Sequence, residues 1–230
     1  MPAKSALVIT IDGPAGVGKS TAARLLAQRL GLVYLDTGAT YRALAYAAGQ
    51  ADLHPMDDVK RITALARRLP LRLLQGRGGV LRVFVDGAEI TRQIRTEEVS
   101  EFAALISQHP LVRSAMVRRQ RQLAREQGVV VEGRDTGSVV FPRASHKFFL
   151  DAAPSVRARR RQEELARLYG YRLPIEQVQA QLHFRDGLDL TRRVGPLVKP
   201  RGAIVIDTSR LSAAQVVRAM LSRIRVRAGG

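Results

Sequence analysis

The sequence predicts an α/β fold of three layers, with a parallel β-sheet core covered by helices on both faces. Three observations lead there. Short apolar runs rich in Val and Ile alternate with longer segments of helical periodicity along the 230 residues. A glycine-rich loop joins the first apolar run to the first helical segment. Between residues 69 and 94 the pattern becomes alternating and is broken by glycine turns, which reads as a small antiparallel sheet inserted into the parallel plan.

Taken in order, ALVITI from Ala6 to Ile11 suits a strand buried on both faces. From Lys19 onward Leu25, Leu26 and Leu30 recur at helical spacing, and Gly31 ends the pattern. LVYLDTGATYRALAYAAG predicts a short strand into Asp36, a Thr37-Gly38 turn and a helix to about Gly49. MDDVKRITALARRL is a third helix, followed by the antiparallel insert, and helical periodicity then runs from Thr96 to about Gln127. GVVVEGRDTG gives a buried strand followed by a loop, and HKFFLDA a further strand. PSVRARRRQEELARLYG and IEQVQAQLHFRDGLDL are helical, GAIVID is the last strand, and SAAQVVRAMLSRIRV closes as a helix. A chain of this length forms one domain with elaborations.

Composition narrows the function classes. There is no cysteine, so disulfides and thiolate metal sites are excluded, and the four His lack ligand spacing. The first apolar run is too short for a signal peptide, and no apolar stretch approaches the roughly 18 residues of a membrane span. A cytosolic enzyme is expected. The net charge of +18 comes from 38 basic residues, of which only Lys4, Lys19, Lys60, Lys147 and Lys199 are lysine. Arginine offers a planar fork for phosphate oxygens, so the excess reads either as nucleic-acid binding or as an enzyme that neutralises several phosphates. Aromatics are only 5% and interleave with no basic patch, which argues against nucleic acid as the main partner.

The chemistry is clearest at Gly13-x-x-x-x-Gly18-Lys19-Ser20, between the first strand and the first helix. Gly13, Pro14, Ala15, Gly16, Val17 and Gly18 would wrap a nucleotide phosphate with backbone N–H groups, at a helix N-terminus whose dipole favours anions. Lys19 would reach the β- and γ-phosphates, and Ser20, followed by Thr21, would ligate magnesium. Asp36 ends a strand near the loop, where it holds a magnesium-bound water or caps the following helix.

Four segments in order, IDGPAGVGKST, LDTGATYRALA, VVVEGRDTGSVVFP and RDGLDLTRRVGPL, resemble those of bacterial cytidylate kinases. The resemblance spans nearly the whole chain, including the small sheet. It implies a P-loop kinase fold with a core at about 1–68, 100–153 and 195–230. A monophosphate-binding insert would occupy about 69–99 and a helical lid about 154–194. It also implies a single, monomeric domain that transfers phosphate from ATP to CMP or dCMP with magnesium and needs neither nucleic acid nor membrane. The residues agree: no Asn-Lys-x-Asp guanine reader is present, and two anionic phosphates held face to face need cations between them.

By the resemblance, Lys19, Arg134 and Arg192 are catalytic, and Arg42 and Arg134 clamp the CMP phosphate. Thr37, Arg113, Asp135 and Arg192 surround the cytosine, while Arg185 and Asp189 read the sugar hydroxyls. Arg157, Arg160 and Arg161 belong to the lid over ATP. Ala104 stands where relatives often carry a serine linked to sugar recognition, which leaves the CMP/dCMP preference open. The rivals are a uridylate or adenylate kinase and, further off, a nucleic-acid-binding ATPase.

Overall fold

The computed structural model describes residues 7–76, 79–124 and 128–224, apart from the side chains of 168 and 169. Five parallel strands form the central sheet: β1 (Val8–Asp12), β2 (Val33–Asp36), β6 (Val129–Gly133), β7 (His146–Asp151) and β8 (Ile204–Asp207). Their order is β2-β6-β1-β7-β8, with β1 in the middle. Ile9, Ile11, Val130, Phe148 and Leu150 have no exposed surface, as expected of strands covered on both faces. Because chain order reverses on either side of β1, a crevice opens at the carboxyl ends of the strands. Asp12, Asp36, Asp151 and Asp207 all end strands there, and Glu132 lies one residue before the end of β6.

Helix α1 (Lys19–Leu30) follows β1 and stops at Gly31, whose φ of 62° lets its N–H reach the carbonyls of Ala27 and Gln28. Helix α2 (Thr37–Gly49) begins directly after β2, so the expected Thr37-Gly38 turn is instead the first turn of a helix. The reason is local: the Asp36 carboxylate accepts from Ala39 N at 2.8 Å and caps it. Helix α3 (Val59–Arg68) leads into the second sheet, β3 (Leu71–Gln75), β4 (Leu81–Val85) and β5 (Ala88–Glu89), which is antiparallel as expected. Leu71, Leu81, Val83 and Val85 turn inward, and Arg72 and Arg82 face solvent.

The helical stretch from Thr96 resolves into α4 (Glu97–Ile106) and α5 (Pro110–Leu123), with Thr96 capping the first and Pro110 opening the second. The end expected near Gln127 lies outside the described residues. The loop expected after β6 is a π-helical turn, Thr136–Val140. Helices α6 (Pro154–Tyr169) and α7 (Ile175–Thr191) pack on each other through Ala158, Leu165, Val178 and Leu182, and this small cluster also takes in Ala15 of the glycine loop. Helix α8 (Ala213–Leu221) starts in a capping box formed by Ser212 and Gln215.

Candidate active site

The crevice at the strand ends is a cleft of about 1020 Å³. Its walls hold Ala15 to Thr21, Asp36, Thr37, Arg42, Arg113, Arg134, Asp135, Arg160, Arg161, Arg185, Asp189 and Arg192. Of the residues expected at the site, only Gly13, Pro14 and Arg157 do not line it. Gly13 shapes the loop from below: at φ 148° its backbone lies so close to Leu150 that a Cβ would meet that carbonyl oxygen at 2.1 Å. Only glycine fits there.

Lys19 is buried, and its Nζ donates to Pro14 O at 2.6 Å, arched back over the loop. Burial and the neighbouring Arg134 lower its pKa to about 7, against the opposing pull of Glu132, Asp189 and Asp12. The lysine is therefore held in a site where its charge is costly until an anion arrives.

Sequence reasoning assigned no role to three residues that the structure places here. Glu132 faces Asp36 across adjacent strands in register. Its Oε1 accepts from Tyr34 Oη at 2.7 Å, and its carboxylate also bonds with Ser20. Burial, then the nearby Asp36 carboxylate, push Glu132 above its usual range. The missed signal was positional, an acid near the end of the strand that flanks the loop-bearing β1. Asp12 has no exposed surface and accepts from Thr136 N, Thr136 Oγ1 and Gly137 N at 2.7, 2.8 and 2.7 Å. It caps the π-helical turn from a neighbouring strand and so fixes the backbone that carries Arg134 and Asp135. Tyr34, the third, orients Glu132.

Asp36 caps the following helix, one of the two roles expected for it. Its Oδ1 caps α2, and its Oδ2 pairs with Arg42 Nη2 at 3.0 Å. Thr37 Oγ1 donates to Glu132 O at 2.7 Å, which ties α2 to β6. That approach is close, since a Cβ on Gly133 would meet Thr37 Oγ1 at 2.4 Å.

Arg113, Arg134 and Arg192 are held by carboxylates. Arg113, 1% exposed, donates to Asp135 Oδ2. Arg134 Nε donates to Asp189 Oδ2 at 2.7 Å, and Arg192 Nη2 lies 3.4 Å from Asp189 Oδ1. Burial would raise the pKa of Asp189, but Arg134 and Arg192 outweigh it and hold the carboxyl below its usual range. Arg185 differs. Burial first, then Arg134, Arg161 and Arg42, bring its pKa down to about 10, with Asp189 opposing.

Arg157, Arg160 and Arg161 of α6 are bound within the protein. Arg157 Nε donates to Ala15 O at 2.7 Å, and its guanidinium pairs with Asp186 on α7. Arg160 holds Thr208 O at 2.6 Å and Thr208 Oγ1 at 2.9 Å. Arg161 Nη2 reaches Glu97 at the start of α4 at 2.8 Å, and Nη1 reaches Glu164 at 3.0 Å. Arg157 thus braces the glycine loop from behind, while Arg160 and Arg161 stand in the cleft wall.

The cytidylate kinase family model matches residues 9–226. The chain belongs to the cytidylate kinase family. It is 43% identical over 214 residues to a cytidylate kinase of Desulforamulus reducens, covering 93% of this chain and 95% of the relative. It is 44% identical over 216 residues to a cytidylate kinase of Pelotomaculum thermopropionicum, covering 94% and 95%. A crystal structure of an uncharacterized protein from Eubacterium ventriosum matches at a TM-score of 0.52 and 10% identity, over 96% of this chain and 99% of that one. That likeness concerns the fold alone. Membership disfavours the uridylate kinase, adenylate kinase and nucleic-acid-binding alternatives. No helix among the described residues is long and apolar enough to cross a membrane.

Proposed function

We propose that this member of the cytidylate kinase family transfers the γ-phosphoryl group of ATP to CMP and dCMP. The observation that carries the reading is a group of converging cations short of anions. Lys19 and Arg185 are both lowered by burial and by Arg134, and Arg161 and Arg42 add to the effect on Arg185. A site that brings positive charges together at this cost is built for a ligand with several negative ones. The reading expects a monomeric enzyme of the cytoplasm.

The glycine loop holds the donor phosphates, and Lys19 turns from Pro14 O toward the charge developing on the transferred group. Arg134, anchored by Asp189, and Arg42, anchored by Asp36, hold the acceptor phosphate in line with it. Arg192 and Arg185 neutralise the charge between the two nucleotides. No general base is needed, because the attacking phosphate is already ionised. Ser20, Glu132 and Asp36 offer hard oxygen donors at adjacent strand ends, a set that suits magnesium bound partly through water. When bound, magnesium shields the charge of the donor phosphates. Thr37, Arg113 and Asp135 face the cytosine, and Asp189 Oδ1, held only loosely by Arg192, is free to take a sugar hydroxyl.

The test is ADP formation with CMP, dCMP, UMP, AMP and GMP as acceptors. The reading expects kcat/KM for CMP to exceed that for UMP by at least about 100-fold, within the discrimination a matched polar site achieves. Equal use of UMP would overturn the acceptor assignment.

A further inference from the structure

Tyr41 plays no part in the mechanism above, yet it lines the same cleft. It lies on α2, one turn after Thr37 and next to Arg42. Its hydroxyl oxygen is buried, and no protein group pairs with it. Burial pushes the phenol up to about 12, so at neutral pH it keeps its proton and is available as a donor. Its electrostatic neighbours are Arg113, Asp135 and Arg192, three of the four groups that the resemblance sets around the cytosine. The ring also stacks under the Arg113 guanidinium, with Cζ 5.7 Å from the ring centroid.

A tyrosine used only for packing would be better as phenylalanine, because an unpaired buried hydroxyl loses its hydration and gains nothing in return. Tyr41 is not alone in this. Arg113 Nε and Arg192 Nε are also buried without a hydrogen-bond acceptor in the protein, and Arg192 Nη2 has only its 3.4 Å ion-pair contact with Asp189 Oδ1. Three unpaired polar atoms therefore belong to side chains of one wall, and all three can donate. A planar ligand whose edge carries adjacent acceptors would satisfy them together. Cytosine presents such acceptors at O2 and N3, directly beside the N4 amine assigned to Asp135 on the same edge.

We propose that Tyr41 contacts the base of the acceptor nucleotide. Its hydroxyl donates to the N3/O2 edge of cytosine, and its ring holds Arg113 for the same edge. The proposal rests on the acceptor reading above and adds a specificity-determining residue to it.

The experiment compares wild type with Tyr41→Phe in two measurements, the thermal midpoint without ligand and the Kd for CMP and for ribose 5-phosphate. Removing an unpaired hydroxyl relieves a desolvation cost, so the ligand-free Tm should rise by about 2 °C or more. The Kd for CMP should weaken about 3- to 10-fold, the range of one net hydrogen bond. Ribose 5-phosphate, which lacks the base, should bind both proteins equally. This combination of higher stability and weaker base binding is one that a purely structural tyrosine would not produce. An unchanged Kd for CMP overturns the proposal, as does an equal loss for ribose 5-phosphate. A fall in Tm, or failure to fold, overturns it too, because the hydroxyl would then already have a partner in the ligand-free protein. Wild-type enzyme that binds CMP no more tightly than ribose 5-phosphate overturns the base pocket as a whole, a result distinct from an unaltered Tyr41→Phe.

Discussion

Replacing Asp135 with Asn tests the base pocket at its most buried ion pair. Asp135 is 6% exposed and Arg113 1%, and the pair uses Oδ2, which leaves Oδ1 for the proposed bond from the cytosine amine. Removing one partner of a buried pair typically costs about 3–5 kcal/mol, because the surviving charge stays in place without compensation. Asn is isosteric and its carbonyl can still accept from Arg113, so the lower end, about 3 kcal/mol, is the expectation. For a chain of this size each kcal/mol moves Tm by about 2–4 °C, which gives a fall of about 6–12 °C. Selectivity should change independently of stability. The Asn amide offers a donor to the O4 of UMP where the carboxylate offers only repulsion. The CMP/UMP ratio of kcat/KM should therefore narrow by at least about tenfold, or 1.4 kcal/mol. Coupled ADP assays with both acceptors, run well below the variant's Tm, give the ratio, and differential scanning fluorimetry gives the stability. An unchanged ratio with a lowered Tm would leave Asp135 as a brace for Arg113 and refute the base-reading role.

Three further outcomes follow from the geometry. Lys19 has a folded pKa near 7 against 10.5 unperturbed, so the empty protein binds fewer protons there than the unfolded chain between those values. Its contribution therefore makes the ligand-free protein less stable near pH 7 than near pH 10. ATP binding should restore the charge and take up close to one proton at pH 8, measured by calorimetry in buffers of different ionisation enthalpy; zero uptake contradicts the coupling. Asp12→Ala leaves Thr136 N, Thr136 Oγ1 and Gly137 N without their acceptor and frees the backbone of Arg134 and Asp135. KM for CMP should rise at least about fivefold more than KM for ATP, and an equal rise would make Asp12 a general stabiliser only. Asp189→Ala should depress kcat/KM for both CMP and dCMP by at least about 100-fold, because Arg134 loses its anchor. The ratio of the two should also change if Oδ1 reads the sugar; a constant ratio removes that role.

The parallel sheet and the glycine loop were legible because their signals are local. Val and Ile runs identify β1 and β6, and the spacing from Gly13 to Ser20 identifies the loop without reference to any distant residue. The antiparallel insert was legible for the same reason. Thr37-Gly38 was misread as a turn because Thr and Gly weaken a helical pattern, and a single capping contact from Asp36 decided the outcome. Glu132 and Asp12 were invisible as site residues because their importance lies in register, which pairs Asp36 with Glu132 and Asp12 with Gly133. The arginines of α6 show a further limit. Their number is plain in the sequence, but whether an arginine faces the cleft or braces the loop depends on partners such as Asp186 and Thr208. Both lie far along the chain.

The same partners explain how so basic a protein keeps an ordered site. Arg42, Arg113, Arg134 and Arg161 all line the cleft, and each pairs with a carboxylate: Asp36, Asp135, Asp189 and Glu97. Each pair fixes a fork in one orientation, and the carboxylate cancels part of the charge the fork would otherwise offer a phosphate. A cleft built only of such pairs would be well ordered but weakly attractive to anions. Lys19 and Arg185 supply the missing attraction, since their nearest strong influences are burial and other cations. Two roles are thus separated in one cleft. The paired arginines set geometry, and the two crowded cations store the electrostatic drive that incoming phosphates release. Removing a pairing acid should therefore scatter the geometry, whereas removing Lys19 should flatten the drive and leave the fold standing.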